Sequence, residues 1–294
     1  MLRGLLVCIL LIAALPTWAG SDDRFPVLWD SNDPVLQGKL EEILAWLGHA
    51  RAIKNKKLAV VLVDITDLDK PRVAAVNGNH MIYAASVPKI AILLGAFVEI
   101  REGNMTLDQE TRESLTRMIR YSSNVDATRM LKRIGKQRLL EILQSEEFHL
   151  YDPKVNGGLW VGKEYGKSAA YKRDPLHKLS HGATAMQVAR FYYLLETGQV
   201  VGKRLSAVMK SMLGDPGINH KFVKGLAEYP EVEIFRKSGS WKRWHGDSAI
   251  VEIGGLRYIV VGLVEDSRGG TWLSEMIKPI HKLMLAEHPE TAEQ

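Results

Sequence analysis

Apolar residues follow a strand-like pattern near both ends of the chain and a helical pattern between them. Residues 58–63 form a continuous apolar run rich in β-branched side chains, which is typical of a buried strand. Towards the other end of the chain, strand-like segments occur at 232–237, 247–253 and 256–264. The pattern predicts an α/β protein in which one sheet region is built from the two ends of the chain, with an all-α insertion in the middle.

Two shorter stretches add detail to this outline. Residues 72–84 contain Asn77-Gly78 between apolar segments, and such a turn predicts a β-hairpin directly before Ser86. Residues 148–182 show no regular pattern and are rich in Gly, Lys and Tyr. An irregular stretch of this length within a compact domain usually lines a site or forms a lid.

The N-terminal residues have the pattern of an export signal. Arg3 supplies the positive start, residues 5–15 are apolar, and Pro16-Thr17-Trp18-Ala19 ends the run with a cleavable pattern. The run is shorter than a membrane-spanning helix requires. The only cysteine, Cys8, would leave with the signal and lacks the small neighbours of a lipid-modified cysteine. We therefore expect a periplasmic or secreted protein with no disulfide and no stable membrane anchor after cleavage.

The domain limits follow from these patterns. We assign 1–19 to the signal peptide and 20–294 to a single domain. Its α/β part is expected at about 20–84 and 215–294, and its all-α part at about 85–214.

The composition is that of an ordinary globular protein, with 46% hydrophobic and 25% charged residues among 294. The formal charge is +5, but the basic residues are scattered along the chain. Scattered charge predicts a solvated surface, so we expect no nucleic-acid partner.

Three short motifs carry the candidate chemistry. In Ser86-Val87-Pro88-Lys89 the serine and the lysine are one helical turn apart, and a lysine amine at that distance can activate a serine hydroxyl. Ser122-Ser123-Asn124 lies at a predicted junction between two helices, and Lys237-Ser238-Gly239-Ser240 lies on a predicted strand. Each motif is weak alone, but the three in this order are a strong signal.

In this order the motifs resemble the S-x-x-K, S-D-N and K-T-G hallmarks of the penicillin-recognising serine enzymes, which are the class A β-lactamases and the penicillin-binding transpeptidases. The strand order is similar too, as is Met186-Gln187 after Thr184-Ala185. The resemblance covers essentially the whole mature chain and implies a β-lactamase-like antiparallel sheet flanked by helices.

The resemblance also implies catalytic roles for three residues. Ser86 would be the acylated nucleophile, and Lys89 would help to remove its proton. Ser122 would relay a proton to the leaving amide nitrogen. A helix N-terminus favours negative charge at Ser86, and two neighbouring cations would lower the pKa of a lysine towards that of a useful base.

Four further residues would bind the substrate by the same resemblance. Asn124 would orient Lys89 and the substrate's acyl side chain. Lys237 would attract the substrate carboxylate, and Ser238 would donate a hydrogen bond to it. The backbone N–H groups of Ser86 and Ser240 would form the oxyanion hole.

The chain departs from the family pattern in ways that bear on turnover. Ser123 replaces the family's Asp, Ser238 replaces its Thr, and the segment between the first two motifs is shorter than in typical class A enzymes. The family's E-x-x-L-N, whose glutamate activates the deacylating water, has no counterpart in 148–182. Glu164 lies in that stretch, but its context does not match. The sequence therefore favours acylation over rapid turnover.

Some residues near the motifs fit more than one role. Arg236, Lys242 and Arg243 could bind an anionic substrate, although solvated charges are the simpler interpretation. Trp241 and Trp244 could form a wall of the cleft or part of the core.

A metal site is not expected. His177 and His181 have the spacing of a metal-binding pair, but no third ligand is evident and Pro175 disfavours a helix there. We predict neither a metal nor another cofactor.

We therefore expect an exported, monomeric serine hydrolase whose partner is a small molecule, either a β-lactam or a peptidoglycan peptide, and which acts in the response to antibiotics. It would form an acyl-enzyme through Ser86 with β-lactams or D-alanyl peptides, with β-lactam hydrolysis possible. Two alternatives stay open. One is a D,D-peptidase-like penicillin-binding enzyme with slow deacylation, and the other is a module that binds cell-wall fragments or β-lactams without turnover.

Overall fold

The computed structural model describes residues 25–289, so the predicted export signal lies outside the described residues. The helices in this range are α1 (Pro34–Trp46), α2 (Ala50–Lys54), α3 (Lys89–Arg101), α4 (Gln109–Arg120), α5 (Asn124–Ile134), α6 (Lys136–Gln144), α7 (Ala185–Glu196), α8 (Lys203–Leu213), α9 (Phe222–Gly225) and α10 (Gly269–Glu287). The strands are β1 (Leu58–Asp64), β2 (Arg72–Val76), β3 (Ile82–Tyr83), β4 (Tyr151–Asp152), β5 (Gly157–Gly158), β6 (Trp160–Val161), β7 (His181–Ala183), β8 (Glu233–Trp241), β9 (Trp244–Ile253) and β10 (Leu256–Glu265). No helix of residues 25–289 is both long and apolar enough to cross a membrane.

The five longest strands form one antiparallel sheet in the order β2-β1-β10-β9-β8. β1 pairs with β10, so the two ends of the domain meet inside the sheet. This arrangement confirms the prediction of an antiparallel sheet built from both ends of the chain. β8 lies at the edge of the sheet, where it contacts α4 and α8 of the helical region.

Both faces of the sheet are covered, as the apolar run of β1 requires. Val61 and Val63 point into a core shared with α3 and α7, whereas Val60 and Leu62 point into a second core shared with α1 and α10. The side chains alternate because successive residues of a strand face opposite sides. A run without polar residues is therefore typical of a strand buried on both faces.

The stretch 72–84 is not a hairpin, so that prediction is wrong. β2 pairs with β1, whereas β3 pairs with β7 in a separate three-stranded sheet. Asn77 has the positive φ expected of a turn, 51°, but its side-chain amide donates to Ile53 O and Leu58 O, both at 2.9 Å. These bonds hold the turn against the start of β1, and the chain then leaves the sheet.

α3 is the central helix of the insertion, and eleven of its 13 residues are buried. It is apolar around its whole circumference, which is typical of a helix with neighbours on every side. α4, α5, α6 and α8 contact it. Between α6 and α7, the stretch without a regular sequence pattern contains β4 to β7, each only two or three residues long.

Candidate active site

Ser86 lies in a tight turn between β3 and α3. Ala85 has a φ of 50°, and the turn is closed by hydrogen bonds from Val87 N to Ala84 O and from Lys89 N to Ser86 O. A positive φ at a residue other than glycine costs energy and is often found at functional sites. α3 begins at Lys89, so Ser86 precedes the helix and lies beside its N-terminal end, where the peptide dipoles favour negative charge.

Lys89 is fully buried and is the centre of a polar network. Its Nζ donates to Ser122 O at 2.5 Å and to Asn124 Oδ1 at 2.8 Å, and it lies 3.3 Å from Ser122 Oγ. Burial lowers the pKa of Lys89 to about 7, although the carboxylate of Asp126 opposes the shift. The amine can therefore be neutral near neutral pH. In that state it keeps its two N–H donors on Ser122 O and Asn124 Oδ1 and can direct its lone pair at the hydroxyl of Ser122.

Ser122 is held at the junction of α4 and α5 in a left-handed conformation with a φ of 57°. The junction is fixed by Ser123, whose hydroxyl caps α5 by accepting from Asp126 N at 3.2 Å. Asp126 in turn accepts hydrogen bonds from Ser114 Oγ and from the guanidinium of Arg117. Ser123, which replaces the family's Asp, thus has a structural role that holds Ser122 in place.

The third motif approaches Ser122 from the edge strand β8. Lys237 is buried, and its Nζ donates to Ser122 Oγ at 3.1 Å and to Ser238 O at 2.6 Å. Ser122 Oγ therefore lies between two amines. Burial, together with the charges of Lys89 and Arg236, lowers the pKa of Lys237 well below its usual value.

Gly239 brings β8 into contact with the Ser86 turn. A Cβ at this position would lie 2.6 Å from both Ala84 O and Ser86 N and 2.8 Å from Val87 N. Only a glycine allows this approach. An edge strand leaves alternate N–H groups without a strand partner, which is compatible with the predicted oxyanion donors at Ser86 and Ser240.

Two basic residues that the sequence does not mark lie beneath this strand. Lys221 is buried, and its Nζ donates to Gly239 O at 2.6 Å, Ser240 Oγ at 2.9 Å and Gly246 O at 2.9 Å. Burial lowers the pKa of Lys221 to about 8. His220 Nε2 lies 3.1 Å from Ser238 Oγ, and burial lowers the pKa of this imidazole to about 4, which keeps it neutral.

Arg236 is not a solvated charge, so the simpler interpretation of this residue is wrong. It is 3% exposed, and its Nε and Nη2 donate to the two carboxylate oxygens of Asp247 at 2.7 and 2.9 Å. The pair is fully desolvated, and Phe222 N and Ser248 N complete the hydrogen bonds of the carboxylate. The guanidinium of Arg236 is therefore bonded within the protein, and the residue is not among those that line the cavity described below.

An aromatic ring covers Lys89 on the side of the irregular loop. Lys89 Nζ lies 4.6 Å from the centre of the Tyr165 ring, and Tyr165 Oη donates to Ala85 O at 3.4 Å. Burial raises the pKa of this phenol well above its usual value, so it stays protonated. The neighbouring Glu164 is bound elsewhere, at 2.6 Å from Lys136 Nζ and 3.7 Å from Lys132 Nζ. The hydrogen bond from Lys136 lowers the pKa of Glu164 and makes it a weak base.

These elements surround a cavity of about 610 Å3. Among the predicted site residues, Ser86, Asn124 and Ser240 line it directly, and hydrogen bonds connect Lys89, Ser122 and Lys237 to its floor. Trp241 and Trp244 both line the cavity, which favours the cleft-wall interpretation for both residues. The structure thus brings all three motifs together, while the chemical role of each residue stays a prediction.

The two histidines with the spacing of a metal-binding pair, His177 and His181, lie next to oxygen atoms of the protein. His177 Nε2 lies 2.9 Å from Asn156 Oδ1, and His181 Nε2 lies 3.0 Å from Lys163 O in the cavity wall. Across residues 25–289, no three metal-ligating side chains lie close enough to hold an ion.

Comparison with known structures identifies the fold. The chain aligns with the structure of PBP-A at 17% identity and a TM-score of 0.65, covering 85% of this chain and 97% of that one. It aligns with a β-lactamase from Sphaerobacter thermophilus at 13% identity and a TM-score of 0.65, covering 84% and 97%. A class A β-lactamase representative from Bacteroides cellulosilyticus gives 16% identity, a TM-score of 0.63, and coverage of 84% and 96%.

Sequence comparison identifies the family. No curated protein sequence matches the chain. The family model described as the beta-lactamase enzyme family matches residues 49–114 and 110–285, which is most of the chain and includes all three motifs. The chain belongs to the beta-lactamase enzyme family.

Proposed function

We propose that the protein is an exported serine hydrolase that reacts with β-lactams or D-alanyl peptides and forms an ester on Ser86 that it releases slowly. The observation that carries the proposal is the line of contacts from Lys89 Nζ through Ser122 Oγ to Lys237 Nζ, next to the Ser86 turn. Two buried amines separated by one hydroxyl supply a base and a proton relay in one place.

The acylation step uses these groups in turn. Neutral Lys89 takes the proton of Ser86, and Ser86 Oγ attacks the carbonyl carbon of the substrate. Negative charge on the carbonyl oxygen is stabilised by the N–H groups of Ser86 and Ser240. The carbon–nitrogen bond then breaks as Ser122 gives its proton to the leaving nitrogen and receives one from Lys89. Lys89 is neutral again, and the acyl group remains on Ser86.

Release of the ester needs a water molecule activated by a base, and the cavity offers no good candidate. Glu164 is the only carboxylate among the described residues that line it, and two lysines hold that carboxylate. The side chain that covers Lys89 is Tyr165. Its phenol stays protonated and therefore cannot accept a proton from water. These features favour slow deacylation over rapid β-lactam hydrolysis.

A protein with the same fold gives further support. A mutant of PBP-A, 16% identical to this chain with a TM-score of 0.66, has been solved as an acyl-enzyme complex with penicillin G. The fold is therefore compatible with a stable penicillin ester.

Intact-mass analysis after incubation with benzylpenicillin tests the proposal. The wild-type protein should gain the mass of one whole penicillin, because the opened lactam stays attached through its carbonyl. Ser86→Ala should gain nothing. Ser211→Ala removes an exposed hydroxyl from α8 and should behave as wild type. An adduct that survives Ser86→Ala, or no reaction at all, would overturn the proposed nucleophile.

A D-alanyl-D-alanine peptide separates the two slow-release alternatives. Release of D-alanine that depends on Ser86 supports the peptidase-like enzyme. Penicillin labelling without any release of D-alanine supports the non-turnover binding module instead.

A further inference from the structure

Four rings form a continuous wall of the cavity beside Ser86. Tyr165 and His181 have ring centres 4.3 Å apart, and Tyr83 is 5.3 Å from Trp244 and 6.2 Å from His181. His181 is buried, and burial lowers its pKa to about 4, so it adds a neutral ring to the wall. Trp241 extends the wall to the mouth of the cavity and is 56% exposed. The wall fits a flat apolar group, because rings stack on or against one another at such distances.

The mouth of the same cavity is cationic. Lys163, Lys167 and Lys242 line the cavity. Glu164, the only carboxylate among the described lining residues, has two lysine partners of its own. No ion pair involves these three lysines in the described part of the chain. Their field therefore acts on whatever occupies the cavity, and it favours negative charge at the mouth.

We propose that this cavity selects acyl donors whose side chain carries an aromatic ring and, next to the ring, an anionic group. The inference rests on the proposed function, because the selected side chain belongs to the group that is transferred to Ser86. The ring would lie against the wall formed by Tyr83, Tyr165 and Trp244, with Trp241 at its outer end. The anion would face the lysines at the mouth.

Four penicillins with one nucleus and different side chains test the inference. 6-Aminopenicillanic acid has no acyl side chain, benzylpenicillin adds a phenyl ring, ampicillin adds a phenyl ring and an amine, and carbenicillin adds a phenyl ring and a carboxylate. The measured quantity is the second-order rate constant for acylation of the protein. Burial of the ring should give benzylpenicillin an advantage of about 10- to 100-fold over 6-aminopenicillanic acid.

The charge at the mouth should then order the three phenyl compounds. Carbenicillin should react about three- to tenfold faster than benzylpenicillin at low ionic strength, and ampicillin should react more slowly than benzylpenicillin. The carbenicillin advantage should shrink in high salt because screening weakens exposed charges. Equal rates for all four compounds, or a preference for ampicillin, would overturn the inference and leave the proposed function intact. No acylation by any of them would instead overturn the proposed function.

Two variants connect these effects to the named groups. Trp241→Ala removes the exposed end of the aromatic wall and should reduce the advantage of benzylpenicillin over 6-aminopenicillanic acid. Replacement of Lys163, Lys167 and Lys242 by glutamine should bring the ratio of the carbenicillin to the benzylpenicillin rate constant to about one. Every penicillin nucleus carries a carboxylate, so the ratio and not either rate alone is the readout. If the lysine replacements slow all four compounds equally, the lysines have no role in selection and the anionic part of the inference is wrong.

Discussion

The contact between Gly239 and the Ser86 turn offers the sharpest test of how the site is assembled. In Gly239→Ala, the added methyl group would lie 2.6 Å from Ala84 O and 2.6 Å from Ser86 N. Unstrained contacts between heavy atoms begin at about 3.5 Å, so β8 and the turn must separate by roughly 0.5–1 Å. Both sides of the contact are backbone, and neither can escape by changing a rotamer.

The separation should affect stability and acylation to different degrees. Overpacking of this kind costs about 1–3 kcal/mol in the free energy of unfolding. In the proposed mechanism, acylation places the N–H groups of Ser86 and Ser240 on one oxygen, and a displacement of about 1 Å in such a site lowers the rate by about 100-fold. We therefore expect a folded protein with a modestly lower melting temperature and an acylation rate constant about two orders of magnitude below wild type.

The assay combines thermal unfolding with the rate of labelling by a fluorescent penicillin. Gly38→Ala is a matched control, because no atom lies within 4 Å of its added methyl group and the residue is inside helix α1. This control should label at the wild-type rate and unfold at a slightly higher temperature, since alanine favours helix by about 0.5–1 kcal/mol. If Gly239→Ala is folded and labels as fast as wild type, the close approach of β8 to Ser86 has no part in acylation.

Three further groups give independent predictions. The acylation rate should rise with pH through about 7 as Lys89 loses its proton, and a flat profile from pH 5 to pH 9 would exclude Lys89 as the base. The pKa of Lys89 is about 7 in the folded protein and 10.5 in its ordinary state, so between these pH values the unfolded chain binds more protons than the folded one. The free energy of unfolding of wild type relative to Lys89→Met should therefore rise with pH over this window, by at most about 1.4 kcal/mol per pH unit. Chemical denaturation at each pH measures this difference. Tyr165→Glu should shorten the life of the penicillin ester whereas Tyr165→Phe should not, and equal lifetimes would show that the ring does not limit release. Lys221→Met removes the hydrogen bond to Gly239 O and should leave the N–H of Ser240 less firmly oriented. A weaker hydrogen bond to the ester carbonyl would raise its infrared frequency and slow acylation about tenfold. An unchanged frequency would show that Lys221 does not orient this N–H group.

The internal geometry of the first two motifs is predictable from the sequence because each is local. Ser86 and Lys89 are one turn apart in the chain, and Ser122 and Asn124 share one helix junction, so their relative positions depend little on distant contacts. Strands β1 and β10 are likewise predictable, because each contains a long apolar run.

Features set by long-range contacts are not predictable in this way. The chain leaves the sheet after β2 because Asn77 bonds to residues about 20 positions earlier, which a turn signal cannot reveal. The burial of Arg236 depends on Asp247, which lies on the neighbouring strand. The placement of Tyr165 over Lys89 depends on the path of an irregular loop, in which periodicity carries no information.

The lifetime of the acyl-enzyme tests the central claim most directly. Wild-type protein is labelled with benzylpenicillin, the free compound is removed by buffer exchange, and the intact mass is followed over time. The account predicts that the adduct on Ser86 persists after the exchange and disappears slowly, because the protonated Tyr165 covers Lys89 and Glu164 is held by lysines. Unmodified protein together with complete conversion of the penicillin to its ring-opened acid would contradict it and would identify an efficient β-lactamase.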